Sequence, residues 1–302
     1  MSNQNTNKLL MIKPVAFGYN NQTAIDNYFQ RKNQLRFDKI QEKALCEFQN
    51  MLEILIKNGL NIVCLSDTME PHTPDSIFPN NWISFHANNI VVIYSMFTPN
   101  RREEKRLDIL DKIYNTEHRT IIDLSYAEIN NQYLEGTGSM VLDRCNKIAF
   151  ASISQRTDKR LFTKFCSLMG YTPVAFHSYY KKKEYPIYHT NVMMSICSEY
   201  VIICKDSILD KMEQRFVYQY FSRKEIIEIT LEQMMCFAGN CLQVFNNKKE
   251  KLLLMSETAY KSLDSHQKKV IHKYNRIITI PIETIERTGG GSVRCMLAEI
   301  FY

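Results

Sequence analysis

The sequence predicts an α/β fold: strand-rich units, each containing one helix, repeated about five times along the chain. Short apolar runs alternate with amphipathic stretches throughout. Several apolar runs come as close pairs, such as residues 139–142 with 147–152, which reads as hairpins rather than a purely parallel sheet. No Gly-x-Gly-x-x-Gly follows a first strand, so a dinucleotide-binding fold lacks its fingerprint. The units share no visible sequence identity, so the repetition is one of architecture.

Residues 9–15 read as a first strand ending at Pro14, which has no N–H to give a ladder. Residues 37–58 place Ile40, Ala44, Phe48, Leu52 and Leu55 at helical spacing, and Gly59 stops the helix. Residues 61–65 form the next strand, 90–97 are strongly β-like, and 101–114 have a helical pattern. Strands follow at 120–124, 139–142 and 147–152, then a helix at 159–169 closed by Gly170. Residues 171–177, 192–197 and 200–204 read as strands, and 206–221 as a helix. The last third reads as strands at 225–229, 234–237, 241–245 and 251–255, a helix at 265–274, and a strand at 277–281. Residues 1–8 are polar and read as a flexible N-terminus. No Pro/Gly/Ser linker divides the rest, so 1–302 is expected to be one domain.

Of the 302 residues, 45% are hydrophobic and 23% charged, as in an ordinary soluble globular protein with a sizeable core. The net charge of +6 comes from dispersed Lys and Arg. Lys181-Lys182-Lys183 after Tyr179-Tyr180 reads as a solvated loop, because no nucleic-acid motif accompanies it. A mild positive field suits a carboxylate-bearing substrate instead. The nine cysteines show no metal-type spacing; Cys236 and Cys241 are too far apart for a CxxC pair, and no histidine cluster completes a zinc set. There is no apolar signal region at the start and no run of the ~18 apolar residues that span a bilayer. The expectation is a cytoplasmic protein with free thiols and no membrane, nucleic-acid, metal or cofactor partner; homo-oligomerisation stays open.

The chemistry-bearing segments are few. Near the C-terminus, Gly289-Gly290-Gly291-Ser292-Val293-Arg294-Cys295 puts a cysteine on a glycine loop beside an arginine. Glycines allow sharp bends and close backbone approach. A neighbouring positive charge favours a nucleophilic thiolate. The same segment also reads as a terminal strand with one buried cysteine. Pro74-Asp75-Ser76-Ile77-Phe78-Pro79-Asn80-Asn81-Trp82 holds the only tryptophan and reads either as a hydrogen-bonding pocket wall or as an Asn-rich turn. In Leu134-Glu135-Gly136-Thr137-Gly138, a buried glutamate needs a cationic or N–H-rich partner, or else the segment is a plain hairpin turn. His189, in Tyr188-His189-Thr190-Asn191-Val192, suits general acid–base work near neutral pH or a structural role. Arg156, in Ser154-Gln155-Arg156-Thr157, suits bidentate binding of a carboxylate or an exposed helix start.

The order of these segments carries more than any one of them. Phe-x-x-Asn, Leu-Glu-Gly, Arg-Thr, His-x-Asn and then Gly-Gly-x-x-Arg-Cys resembles the guanidine-modifying, or pentein, superfamily, over essentially the whole chain from Met11-Ile12-Lys13-Pro14 onward. That group includes arginine deiminases, dimethylarginine hydrolases and amidinotransferases. Residues Ala16-Phe17-Gly18-Tyr19-Asn20 through Asn27-Tyr28-Phe29-Gln30, with Phe78-Pro79-Asn80-Asn81-Trp82, look closest to its citrulline-utilisation hydrolase branch. The resemblance implies a five-bladed α/β propeller with a C-terminal catalytic cysteine. It implies Cys295 as nucleophile, His189 as proton shuttle and Glu135 on the N–H groups of the substrate head. It places Arg156 on the α-carboxylate, and Asp75, Phe78, Asn81, Asn191 and Arg294 around the substrate.

Two departures matter. Arginine deiminases carry Asp where this chain has Asn81, and again where it has Asn191. Aspartates suit a guanidinium cation, whereas an amide donates as well as accepts. A slip of one residue, to Asn80, leaves the same chemistry. The site therefore reads as one for a neutral ureido group: a hydrolase that cleaves L-citrulline or a close analogue through an S-carbamoyl intermediate to ornithine, ammonia and CO2. The alternatives are an arginine deiminase or dihydrolase, a dimethylarginine hydrolase, an amidinotransferase, and a non-catalytic pentein binding protein.

Overall fold

A computed structural model describes residues 3–32, 34–113 and 119–301. Its fifteen strands are β1 (Lys8–Lys13), β2 (Asn61–Ser66), β3 (Ile83–His86), β4 (Ile90–Ile93), β5 (Thr120–Asp123), β6 (Val141–Asp143), β7 (Ile148–Ser152) and β8 (Thr172–Phe176), then β9 (Met194–Ile196), β10 (Tyr200–Ile203), β11 (Glu225–Glu228), β12 (Leu242–Phe245), β13 (Lys251–Ser256), β14 (Arg276–Ile280) and β15 (Ala298–Ile300). They form a mixed α/β structure of five separate three-stranded sheets, β15-β1-β2, β3-β4-β5, β6-β7-β8, β9-β10-β11 and β12-β13-β14.

One topology repeats in every sheet. The middle strand pairs antiparallel with one neighbour and parallel with the other, as β7 does with β6 and β8. The antiparallel pair needs only a tight turn, while the parallel pair needs a crossover, and a helical segment supplies it. The middle strands are buried on both faces, as the Tyr-Val-Ile-Ile of β10 shows, because helices cover one side and neighbouring sheets the other. In the first sheet the antiparallel partner is the last strand: β15 pairs with β1 in the register Lys8↔Ile300, Leu9↔Glu299, Leu10↔Ala298. Both ends of the chain thus meet in one sheet.

The long crossovers follow their sequence signals. Phe37–Lys57 buries Ile40, Ala44, Phe48, Met51 and Leu55, one stripe at helical spacing. Lys159–Met169 starts where Asp158 accepts from the Leu161 N–H and stops at Gly170 in the left-handed region. Ser265–Tyr274 is capped by the reciprocal Asp264/Gln267 box.

Several expectations need correction. Residues 234–237 are not a strand: Thr230 and Gln233 form a capping box, and Leu231–Met235 is helical. A short apolar run has no periodicity of its own, so the cap decides. The expected helix at 101–114 breaks into Pro99–Arg102, Leu107–Ile109 and Leu110–Ile113, while Tyr114 lies outside the described residues. The helix expected at 206–221 begins at Lys211, where Asp210 caps it. The starts of the strands expected at 139–142 and 192–197 are helical turns, Gly136–Ser139 and Thr190–Met193. The strand expected at 90–97 stops at Ile93; beyond it the backbone of Ser95, Met96 and Phe97 serves Leu134, Glu128 and Glu135. Strand β3 and the helices Glu257–Ser262 and Glu283–Gly289 were not anticipated.

The polar N-terminus is not a loose tail over the described residues. Gln4, Asn5 and Thr6 are buried. Gln4 donates to the Leu142 carbonyl at 2.9 Å and accepts from the Arg144 N–H at 2.7 Å. Asn5 donates to Gln243, and Thr6 to the Ile300 carbonyl. Their polarity serves backbone groups exposed between the sheets, which need partners once buried. Among the described residues no helix is long and apolar enough to cross a membrane.

Gln4→Ala removes a buried donor and a buried acceptor together and leaves Leu142 and Arg144 backbone groups unmatched. We expect a loss of about 1–3 kcal/mol in unfolding free energy, measured by urea denaturation with an unchanged m-value.

Candidate active site

Short turns lead into the first-laid strand of each unit, and the candidate site is assembled from those turns. Asn81 ends Pro79–Asn81 just before β3. Glu135 caps Gly136–Ser139, which leads into β6. His189 precedes Thr190–Met193, which leads into β9. Asn240 stands just before β12, and Cys295 just before β15. The turns are neighbours in space, with Gly136–Ser139 touching both Pro79–Asn81 and Thr190–Met193. Gly138 makes this possible: a Cβ there would lie 2.3 Å from Asn81 Nδ2 and 2.8 Å from His189 Nδ1. Gly290, at φ +67°, ends the helix Glu283–Gly289 and turns the chain toward Cys295.

Asp75, Phe78, Asn81, Arg156, His189 and Cys295 line one cleft, together with Arg101, Tyr188, Asn27 and the glycines 289–291. Between Asn80 and Asn81 the structure chooses Asn81; Asn80 instead donates to Thr137 Oγ1. The cleft is narrow, with free space of about 10 Å³, barely room for one water.

The sulfur of Cys295 is buried and faces amides. Asn240 Nδ2 donates to it at 3.2 Å and Asn191 Nδ2 at 3.5 Å. Asn240 is held in turn by its bond to the Asn191 carbonyl at 2.9 Å. Two N–H donors fix the position of the sulfur in the cleft. The neighbouring Arg294 does not contribute as expected. Its guanidinium donates to the Leu297 carbonyl at 2.9 Å and to Glu299 at 2.8 Å, and it lines a separate small polar cavity. Adjacent residues diverge here because the turn from Ser292 to Leu297 sends successive side chains to different sides.

His189 Nε2 lies 2.7 Å from Glu135 Oε2. Burial alone would raise the Glu135 carboxyl, but Arg156, the His189 hydrogen bond and Arg101 hold it well below the usual carboxylate range. An ionised Glu135 only accepts, so the hydrogen sits on Nε2 and the Nδ1 lone pair is the free base. Burial lowers the His189 pKa, with Arg156 and Arg101 acting the same way against the Glu135 bond. The imidazole is therefore neutral at pH 7. The other Glu135 oxygen accepts from the Phe97 N–H at 2.9 Å, so Glu135 orients His189 rather than standing free for a substrate.

Around this pair lies a buried charge network. Arg101 forks onto Glu104 through Nε at 2.8 Å and Nη2 at 2.9 Å. Its Nη1 donates to Asn81 Oδ1 at 2.8 Å. That bond fixes the amide: Asn81 presents its NH2, and Nδ2 has no partner among the described residues. Asp75 Oδ2 accepts from Asn20 at 2.7 Å and Thr23 at 3.2 Å, while buried Oδ1 has no partner among the described residues. Burial raises the Asp75 carboxyl against the pull of Arg101, and pushes Glu104 up to about 8 against the same arginine. Arg156 forks onto Asp26 and stacks over the Tyr188 ring with Cζ 4.8 Å from its centroid.

All the anticipated residues except Arg294 thus gather around one cleft, Glu135 and Asn191 as supports of His189 and Cys295. Arg101, Asn240, Asp26 and Tyr188 were missed. Asn240 had a usable signal, since Gly239-Asn240 leads into its strand as the other site residues lead into theirs. Arg101 and Asp26 had none: Arg101 with Glu104 three residues on looks like an ordinary surface pair, and the partners that place them in the cleft, Asn81 and Arg156, are remote in sequence.

Comparison with known proteins agrees with this architecture. Three solved structures share the fold at low identity. The N-terminal domain of ArgZ, an arginine dihydrolase from the ornithine–ammonia cycle in cyanobacteria, bound to substrate, superposes with TM-score 0.75 at 15% identity over 97% of each chain. The longer apo ArgZ chain gives 0.73 at 14%, covering 97% of this chain and 40% of that one, so the present chain spans about two-fifths of it. A dimethylarginine dimethylaminohydrolase carrying an adduct with S-methyl-L-thiocitrulline gives 0.66 at 14%, over 97% of this chain and 99% of that one. No curated protein matches the sequence. A family match does extend over residues 13–302, from the end of β1 through the cysteine loop. The chain belongs to the family described as eukaryotic N,N-dimethylarginine dimethylhydrolases, within the guanidine-modifying pentein superfamily.

Proposed function

We propose that the five sheets are the blades of one propeller spanning the chain, and that its cleft hydrolyses a C–N bond of a ureido or guanidino group. As a member of its family the chain is a hydrolase of such bonds. One observation carries the assignment of roles: the Cys295 sulfur, held by the amides of Asn191 and Asn240, shares a narrow cleft with a neutral His189 oriented by Glu135. Nucleophile, base and orienting carboxylate are the parts covalent hydrolysis needs.

The ureido reading, with L-citrulline as substrate, follows from the head of the cleft. The Cys295 sulfur attacks the ureido carbon. Asn81 Nδ2, turned inward by Arg101, donates to the ureido oxygen as it becomes an oxyanion; one such donor is worth roughly 3–4 kcal/mol of barrier. His189 takes the thiol proton and passes it to the leaving nitrogen, releasing ornithine and leaving S-carbamoyl-cysteine. His189 then takes a proton from water, which attacks the carbamoyl carbon. The carbamic acid released breaks down to ammonia and CO2, and the thiol is restored. In this reading Arg156 takes the α-carboxylate and Asp75 Oδ1 the ammonium. A reducing cytoplasm suits this chemistry by keeping Cys295 a thiol.

A second reading, hydrolysis of arginine or a methylated arginine, is favoured by charge. The unpartnered Oδ1 of Asp75 and the ionised Glu135 behind His189 stand at the cleft, and carboxylate oxygens suit a cationic head. The test is incubation of purified protein with citrulline, arginine, dimethylarginine and agmatine, with ornithine, citrulline and ammonia measured. Ornithine from citrulline but not from arginine supports the ureido reading; citrulline formed from arginine or dimethylarginine replaces it with the second.

Three outcomes are expected. Cys295→Ala abolishes turnover with the melting curve unchanged, and activity near wild type removes the nucleophile assignment. Asn191→Asp shifts selectivity toward cationic substrates, read as the ratio of kcat/KM for arginine and citrulline. Because the lowered pKa keeps His189 in its base form to lower pH, the acid limb of kcat/KM falls below the usual imidazole value of about 6.5; a limb at or above that value contradicts the neutral resting imidazole.

A further inference from the structure

Both arginines of the cleft give their forked Nε/Nη2 edge to a carboxylate of this chain. Arg101 spends Nε and Nη2 on Glu104 and Nη1 on Asn81. Arg156 donates from Nε to Asp26 Oδ2 at 2.9 Å, and from Nη2 to Asp26 Oδ1 and to the Thr23 carbonyl at 3.1 Å. Its Nη1 faces Glu135 at 3.6 Å. The fork of Arg156 on Asp26 is the arrangement an arginine gives to a ligand carboxylate.

Asp26 differs from the other network carboxylates in where it comes from. It sits on the segment that lies against the cleft and is tied to the cysteine loop by four bonds, one of them from Asn27 Nδ2 to the Gly290 carbonyl at 3.5 Å. Asn27 Nδ2 donates to the Gly289 carbonyl at 3.4 Å, Gln30 Nε2 to the Thr288 carbonyl at 3.1 Å, and the Arg31 N–H to the Arg287 carbonyl at 2.7 Å. The Asp26 side chain keeps 13% exposure where Arg156 keeps 1%. It is a rim carboxylate reaching inward to a buried guanidinium. Beside them the unpartnered Oδ1 of Asp75 offers a seat to an ammonium, whose binding requires nothing of Arg156.

We propose that Asp26 is a specificity-determining residue that occupies the carboxylate seat at Arg156. A substrate with an α-carboxylate must displace it, while the decarboxylated counterpart, an ω-ureido or ω-guanidino alkylamine, need not. This rests on the proposed function. Displacement exchanges one carboxylate for another on the same guanidinium, so the α-carboxylate gains little net affinity. Asparagine at position 26 offers Arg156 one neutral oxygen in place of a charged fork, which leaves the guanidinium open to an incoming carboxylate.

The experiment compares wild type with Asp26→Asn on two matched pairs: L-citrulline with its decarboxylated analogue N-carbamoyl-1,4-diaminobutane, and L-arginine with agmatine. Within each pair, Asp26→Asn is expected to raise the kcat/KM ratio of the carboxylate-bearing member to its partner by about tenfold or more, through KM rather than kcat. An unchanged or falling ratio overturns the proposal. The same pairs are titrated calorimetrically against Cys295→Ala and Cys295→Ala/Asp26→Asn, so that Asp26 is read without turnover. Should Asp26→Asn fail to fold by thermal melt, Cys295→Ala alone decides. A preference for the amino acid of less than about tenfold inside each pair supports the seat, and a larger one overturns it. Binding with the expected ratio but no turnover refutes the reaction while supporting Asp26; absence of binding by all four compounds overturns both.

Discussion

The pairing of β15 with β1 is the constraint on which the rest depends. Cys295 stands just ahead of a three-residue strand, and that strand has a place only because the other end of the chain supplies β1 as its antiparallel partner. Thr6 bonds the Ile300 carbonyl at the same seam. With this sheet complete, the turn before β15 lies among the turns before β3, β6, β9 and β12. One repeated topology, which delivers a lead-in turn to the same end of each sheet, turns five remote segments into one cluster. None of those turns is long enough to hold a site by itself. Their positions come from the sheets behind them, which are rigid and buried.

The cleft is electrostatically costly. Arg101, Arg156, Glu104 and Glu135 are all almost fully buried, and each ion loses several kcal/mol of hydration on burial. What makes the arrangement tolerable is that nearly every donor and acceptor finds a counterpart inside the network. The exceptions are telling in position: Asp75 Oδ1 and Asn81 Nδ2 border the free space, and Asn240 Oδ1 belongs to the amide that faces the sulfur. Stability and chemistry are coupled here, because the arginine that neutralises Glu104 is also the one that turns the Asn81 amide.

Much of this was legible in the sequence, where the signal was local. Asp158 and Gly170 mark the two ends of their helix in one dimension. The glycines before Cys295, the Glu135 segment and the His189 segment announce themselves by composition and order. What escaped depends on remote partners or on competition between local rules. Residues 234–237 look like a strand until Thr230 and Gln233 are weighed as a cap. Arg101 looks like one more cation on an amphipathic stretch, yet Glu104 and Asn81 draw it inside and break the helix around it. Arg294 misled in the opposite way: it is beside the cysteine along the backbone, and its charge is spent on Glu299. Nearness in sequence is a poor guide wherever a turn points consecutive side chains apart.

The tightness of the cavity has a thermodynamic consequence of its own. With free space of about 10 Å³, the cleft as it stands has no room for an amino acid, so binding requires its lining to give way. The observed dissociation constant is then the intrinsic one divided by the fraction of molecules open at a given instant. Residues that hold that lining, such as Asn27 and Gln30, tune apparent affinity without touching a ligand, by setting that fraction.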